Sequence, residues 1–153
     1  MKPRLPLLRM ALGIVLSMTA VGLMAQCTNV SQYPSSTIVA DPLGAVTTIS
    51  TCSFQEEYSV VGSVVSGATY QFTCTGNAYV TVHSGTSDGP VLGNGYSPLT
   101  VTTTSADNLY PHWNVDEQCN QASNCETTTV QLFLNCVPPS ASVTTIDDCD
   151  NNQ

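Results

Sequence analysis

The sequence has almost no basic side chains. Its 153 residues include three Lys and Arg, and all three (Lys2, Arg4 and Arg9) precede residue 10. Lys and Arg make most protein contacts to phosphate groups in nucleic-acid complexes. Their absence from the remaining chain excludes nucleic-acid binding and nucleotide chemistry. It also excludes Lys–carboxylate and Arg–carboxylate ion pairs as a source of stability.

The three basic residues begin a segment with the pattern of an export signal. An apolar run follows them from Met10 to Met24, and Ala25 is the candidate cleavage position. The run is too short and too close to the terminus to predict a membrane span. We therefore expect residues 1–25 to be a cleaved signal helix and the protein to be secreted or at the cell surface. After cleavage we expect no membrane insertion.

Seven cysteines follow the predicted signal, which in an exported protein indicates a disulfide framework. Zinc is the rival explanation, but no C-x2-C pair is present. Six cysteines lie in the span 27–136, and fifteen pairings of six are possible. The spacing favours three bridges, each contributing about 2–4 kcal/mol. They are Cys119–Cys125 as a loop clasp, Cys27–Cys136 between the domain ends, and Cys52–Cys74 around the central strands.

The stretch from Glu57 to Cys74 predicts a β-hairpin that turns at Ser66-Gly67. In its second half Tyr70, Phe72 and Cys74 alternate with polar residues, which is the period of a strand buried on one face. No segment after the signal has helical periodicity. Thr, Val and Tyr enrichment with frequent turns predicts an all-β fold, namely a disulfide-stabilised antiparallel β-sandwich of jelly-roll type.

The same alternation predicts the remaining organisation of one domain, residues 26–136. Further strands are expected at 45–52, 78–83, 99–102, 108–115 and 126–136. The Gly-rich segment Ser84–Ser97 is expected to be a loop with at most a short strand at Val91-Leu92. Residues 137–153 are rich in Pro, Ser, Thr and Asp, so we interpret them as a linker in which a following module could begin. Cys149 lies in this linker.

Several short elements, taken in order, make the chain from Cys27 to Cys136 resemble a known module. They are Tyr33-Pro34, Thr51-Cys52, Glu57–Val61, Gly67–Phe72, Tyr79–Val82, Ser97–Val101, Tyr110–His112 with Cys119 behind it, and a last strand that ends in Cys136. The resemblance is to a repeated β-sandwich module of adhesin-like secreted and cell-surface proteins of Bacteroidetes, many exported by the type IX route. It implies a non-catalytic accessory role. Cys74 and Cys125 depart from the family pattern, as does the lack of Arg in the late strands.

No catalytic constellation is recognisable. Glu56 and Glu57 are adjacent, so in a strand they face opposite ways and cannot act as a carboxylate pair. His83 and His112 are the only histidines, and no nucleophile or metal motif accompanies them. His112 and Trp113 are adjacent in a predicted strand, so they point to opposite faces and we expect Trp113 to be the buried one. The sequence predicts a protein that is not an enzyme.

Two sets of side chains are candidates for ligand binding. Trp113, Tyr110 and Tyr96 could stack on a sugar ring, although a single tryptophan in a small sandwich is more often part of the core. Four carboxylates could ligate calcium, although they lack EF-hand spacing. These carboxylates are Asp88, Asp116, Glu117 and Glu126.

These observations predict a non-catalytic extracellular adhesion or interaction module of a larger protein. Its loops Ser84–Ser97 and Val115–Glu126 would be presented to a surface glycan or protein ligand. The alternative is a carbohydrate-binding accessory module of a secreted hydrolase.

The lack of Lys and Arg after Arg9 leads to a first prediction. The mature protein is expected to survive trypsin even when reduced and unfolded, because it contains no cleavage site. Mass spectrometry after digestion measures this, and chymotrypsin under the same conditions is the control that the chain is accessible. Tryptic fragments would contradict the predicted processing site.

Overall fold

The computed structural model describes residues 26–133, which form eleven β-strands and no helix. The predicted signal (1–25) and linker (137–153) lie outside the described residues, as do Cys136 and Cys149. The strands are β1 (Ser31–Gln32), β2 (Ile38–Val39), β3 (Thr47–Gln55), β4 (Glu57–Tyr58), β5 (Val61–Gly62), β6 (Thr69–Cys74), β7 (Tyr79–Ser84), β8 (Val91–Tyr96), β9 (Leu99–Thr102), β10 (Leu109–Asn114) and β11 (Ala122–Phe133). The all-β prediction is confirmed for this part of the chain.

The strands form a four-stranded and a seven-stranded sheet. The four-stranded sheet has the order β3-β11-β6-β9 and is antiparallel throughout. In the seven-stranded sheet β10 pairs with β7 on one side and with β4 and β5, in succession, on the other. β8 extends the sheet beyond β7, while β1 and β2 add short parallel pairs to β4 and β5.

One apolar core lies against both sheets. The four-stranded sheet contributes Tyr70 and Phe72, as the alternation in β6 predicted, and the seven-stranded sheet contributes Val80 and Trp113. The Phe72 and Trp113 rings meet edge to face with their centroids 6.4 Å apart. Burial of such side chains is the main contribution to stability in a chain whose described residues contain no Lys or Arg.

The predicted hairpin between Glu57 and Cys74 is wrong. Its first half, β4 and β5, pairs with β10 in the seven-stranded sheet, whereas β6 belongs to the four-stranded sheet. Gly67 does adopt the positive φ expected of it, at 79°, but it lies in a connection between sheets. Pairing with strands distant in sequence therefore prevails over the local hairpin.

The disulfide pairings expected from spacing are also wrong. The structure joins Cys27 to Cys119 and Cys52 to Cys125. Cys52 lies on β3, beside the strand β11 that carries Cys125, so these two cysteines meet across a strand pair. Cys74 is a buried free thiol because the alternation of β6 points it into the core. Cys136 lies outside the described residues, so its pairing stays untested.

The segment Ser84–Ser97 is more regular than expected. Val91–Tyr96 forms a six-residue strand, β8, paired with β7. Gly93 is needed there because a Cβ at this position would come within 2.9 Å of Val101 Cγ1. The exposed loop is therefore confined to residues 85–90. In the other predicted loop, β11 already begins at Ala122.

Strand β3 lies at the edge of the four-stranded sheet, and side chains accept two of its backbone hydrogens. The Cys52 N–H donates to Ser50 Oγ at 2.9 Å, and the Phe54 N–H donates to Glu57 Oε2 at 2.8 Å. These bonds satisfy donors that an edge strand otherwise leaves to water or to another chain.

No helix in residues 26–133 is long and apolar enough to cross a membrane. The two disulfides in the same part of the chain are typical of extracellular proteins.

A second prediction concerns the core. Trp113→Ala is expected to lower the free energy of unfolding by about 3–5 kcal/mol, because it leaves a cavity at a fully buried position and removes the bond from Nε1–H to Ser59 Oγ. Urea denaturation measures the change. Tyr96→Ala is the control, since Tyr96 is 48% exposed and should cost much less. Equal losses in both variants would contradict the assignment of Trp113 to the core.

Candidate functional site

The three aromatic residues proposed as a sugar platform are not brought together. Trp113 is fully buried, so it cannot stack on a ligand. Tyr96 is exposed and packs edge to face on Tyr79, which pairs with Asn114 at one end of β10. Tyr110 lies four residues away along β10, or about 13 Å. The platform hypothesis is therefore wrong for Trp113, and the two tyrosines do not form a single surface.

The four carboxylates proposed as calcium ligands are also separated. No group of three or more His, Cys, Asp or Glu side chains that could hold a metal exists in residues 26–133. Each carboxylate instead accepts a hydrogen bond from a nearby side chain. The donors are Thr86 for Asp88, Asn120 for Asp116, Gln118 for Glu117 and Thr75 for Glu126. The Asn120 side chain lowers the pKa of Asp116. In residues 26–133 these four carboxylates thus do not form a shared site for calcium.

An unexpected group of buried polar side chains lies on the outer face of the seven-stranded sheet. Alternation along β7 and β10 turns Val80, Val82 and Trp113 toward the core and turns the intervening residues the other way. These intervening residues would normally be hydrated, yet they are buried. They are Tyr79, Thr81, His83, His112 and Asn114.

Residues 26–30, which we term the N-terminal strap, bond to this face. The Cys27 N–H donates to Thr81 Oγ1 on β7 at 3.2 Å. The Asn29 N–H donates to His112 Nδ1 on β10 at 2.7 Å. The strap is covalently attached through Cys27–Cys119, and its chain continues into β1 beside β4.

The Asn29 side chain completes the attachment. Its Nδ2 donates to the backbone carbonyls of Glu57 at 2.8 Å and Trp113 at 2.9 Å. Its Oδ1 accepts a hydrogen bond from Asn114 Nδ2 at 3.2 Å. Asn29 thus bonds to β4 and β10 together.

His83 and His112 form a contacting pair beneath the strap. Their ring centroids are 4.8 Å apart, and Tyr58 stacks on His112 from the other side at 5.2 Å. His83 Nδ1–H donates to the Gly89 carbonyl at 2.7 Å, while His83 Nε2 lies 3.4 Å from the Cys27 carbonyl. His83 therefore lies between the strap and the loop 85–90.

The hydrogen bonds of His112 determine where its proton lies. Nδ1 accepts the Asn29 amide hydrogen, so the neutral ring carries its proton on Nε2. Nε2 is buried and has no hydrogen-bond partner. Burial lowers the pKa of His112 to about 4, the nearby His83 acts in the same direction, and the Ser87 backbone opposes both. His112 is therefore uncharged at neutral pH.

The pair is unsuited to catalysis or metal binding in this arrangement. A general base must reach substrate, and both rings are buried. A metal needs a nitrogen lone pair, whereas Nε2 of His112 carries the proton and Nδ1 is engaged by Asn29. The free thiol is similarly withdrawn, because burial raises the pKa of Cys74.

A cleft opens at the end of the sheet next to His83. Its volume is about 310 Å³, and it lies where the loop 85–90 meets residues 104–107. Ser84, Thr86, Thr104 and Ser105 offer hydroxyls, and Asp107 adds one carboxylate beside apolar Leu92. The sequence indicated the first loop, but it gave no sign that residues 104–107 would face it.

In the sequence, the only indication of the histidine pair is that His83 and His112 both fall at positions of their strands that face away from the core. Their burial depends on the strap, whose residues Gln26–Val30 have no recognisable pattern, and on the loop 85–90.

No protein-family model, curated protein or solved structure matches this chain.

A third prediction follows from His112. Its contribution to the free energy of unfolding is expected to fall by about 3 kcal/mol between pH 7 and pH 4. The unfolded chain takes up the proton below about pH 6.5, whereas the folded protein takes it up only near pH 4. Acid therefore favours the unfolded chain throughout this interval. Denaturant titrations at several pH values measure the effect.

His112→Asn is the matched control, because an Asn Oδ1 can accept the Asn29 N–H without titrating. The difference between the two proteins isolates His112 from the carboxylates. Identical pH dependence of wild type and variant would contradict the prediction.

Proposed function

We propose that this protein is a non-catalytic extracellular interaction module, built as a β-sandwich of jelly-roll type, in a larger secreted or surface protein. The observation that carries the proposal is that both histidines and the free thiol are buried, while the loops at the sheet ends are exposed. The groups best suited to catalysis at neutral pH are thus withdrawn from any ligand. The disulfides support secretion, and the predicted signal agrees with it.

Charge limits the kind of partner. Residues 26–133 carry carboxylates and no Lys or Arg, so an anionic ligand would meet repulsion without compensation. A neutral glycan or a protein surface with basic residues fits this charge better. We therefore place the partner among surface glycans and proteins. The Bacteroidetes adhesin-like modules remain our proposal for the family.

The alternative, a carbohydrate-binding accessory module, is favoured by the cleft near His83. Hydroxyls and a carboxylate can bond to sugar hydroxyls, and Leu92 can contact an apolar ring face. In this alternative the cleft, and not Trp113, would contact the sugar. It would hold a short neutral saccharide at the end of the sheet.

A fourth prediction tests the two functions. In the accessory-module case the protein binds a neutral glycan on an array, and Asp107→Asn weakens binding about tenfold or more through loss of a charge-assisted hydrogen bond. Glu117→Gln is the matched control, since it makes the same charge change in the exposed loop that follows the opposite end of β10. Binding to an extracellular protein with both variants unaffected would favour the adhesion function.

The proposal that the module is non-catalytic can be tested separately with enzyme substrates. We expect no turnover of glycoside, ester or peptide substrates by the purified protein. Turnover that is lost in the His83→Ala, His112→Ala double variant, with the fold retained by circular dichroism, would contradict it.

A further inference from the structure

The hydrogen bond from the Asn29 backbone to His112 requires His112 to be uncharged. Nδ1 of the neutral ring accepts the Asn29 amide hydrogen at 2.7 Å. A second proton on the ring would go to Nδ1, because Nε2 already carries one. Nδ1 would then be a donor facing another donor. The hydrogen bond between Asn29 and His112 would be lost, and two hydrogens would be directed at each other.

We propose that protonation of His112 releases residues 28–30 from the seven-stranded sheet, so that the strap is an acid-sensitive cover of its outer face.

The surroundings of His112 disfavour a charged ring, because burial and His83 outweigh the opposing effect of the Ser87 backbone. The groups packed around it are His83 on β7 and Tyr58 on β4. Residues 26–30 contain no ionisable side chain apart from Cys27, which is in a disulfide, and cleavage after Ala25 would add the amino group of Gln26. The loop 85–90 carries Asp88, whose carboxylate accepts a bond from Thr86 Oγ1. No carboxylate is hydrogen-bonded to the ring, and Nε2–H has no acceptor.

His83 has the opposite effect on the strap. Its two nitrogens face the carbonyls of Gly89 and Cys27, and a carbonyl only accepts. A proton added at Nε2 of His83 would create a donor toward Cys27, which attaches the strap more firmly. Two charged rings with centroids 4.8 Å apart would also repel each other. Release is therefore assigned to His112 and not to histidine protonation in general.

The released segment stays bound at both ends. Cys27 is joined to Cys119, and Ser31 and Gln32 pair with β4. The movement is thus confined to the residues between them, and neutralisation should reverse it. Opening would expose His112 and Asn114, the two side chains that bond to Asn29.

The fifth prediction tests this by NMR on the full mature chain. Hydrogen exchange of the Asn29 amide, corrected for the intrinsic pH dependence of exchange, is expected to lose up to about 300-fold protection as the pH falls from 7 to below 4. This factor corresponds to the lowering of the pKa of His112 from 6.5 to about 4. The loss should share its midpoint with the titration of the His112 ring. Core amides of β6 should stay protected.

Two variants distinguish the histidines. His112→Asn should keep Asn29 protected across this pH range, whereas His83→Asn should leave the acid release in place. Asn29 protection that does not change with pH in the wild type, or that falls equally in His112→Asn, would overturn the proposal. If either variant fails to fold, the shared midpoint of Asn29 and His112 in the wild type still decides the question.

Discussion

The Cys27–Cys119 disulfide is the link on which the second covered face of the seven-stranded sheet depends. One face of that sheet packs on the core, as in any two-layer β fold. The other would be open to water, but the disulfide holds the N-terminal strap beside it. The burial of the histidines and the low pKa of His112 follow from that cover. The N-terminal strap, a short irregular segment, thus determines the burial of the polar side chains on the outer face of the sheet.

Much of the strand pattern could be predicted from the sequence, because period-two alternation depends only on which face is buried. The alternation of Tyr70, Phe72 and Cys74 and the strand at Leu99–Thr102 were found in this way. Alternation does not say which strand is the neighbour. The stretch after Glu57 was therefore assigned to a hairpin, although its partner is β10. Disulfide pairing failed for the same reason, since it depends on those neighbours.

The candidate site was less predictable than the fold. His112 and Trp113 were correctly expected on opposite faces, but burial of both was not foreseen, because a strand pattern contains no information on what covers its outer side. The carboxylates near Cys119 are close in sequence, yet each accepts a hydrogen bond from a different side chain. The cleft combines loops far apart in the chain. Such sites arise from tertiary placement, for which this single sequence has no signal.

The blocked donors on β3 bear on how this molecule behaves when crowded. A strand with free amide hydrogens at a sheet border can recruit the same strand from another copy, which leads to fibres. Here the side chains of Ser50 and Glu57 accept two of those amide hydrogens. The edge strand β3 itself is rich in Thr and Ser and has no charged residue. At high concentration, β3 should thus be a poor starting point for β-sheet polymerisation.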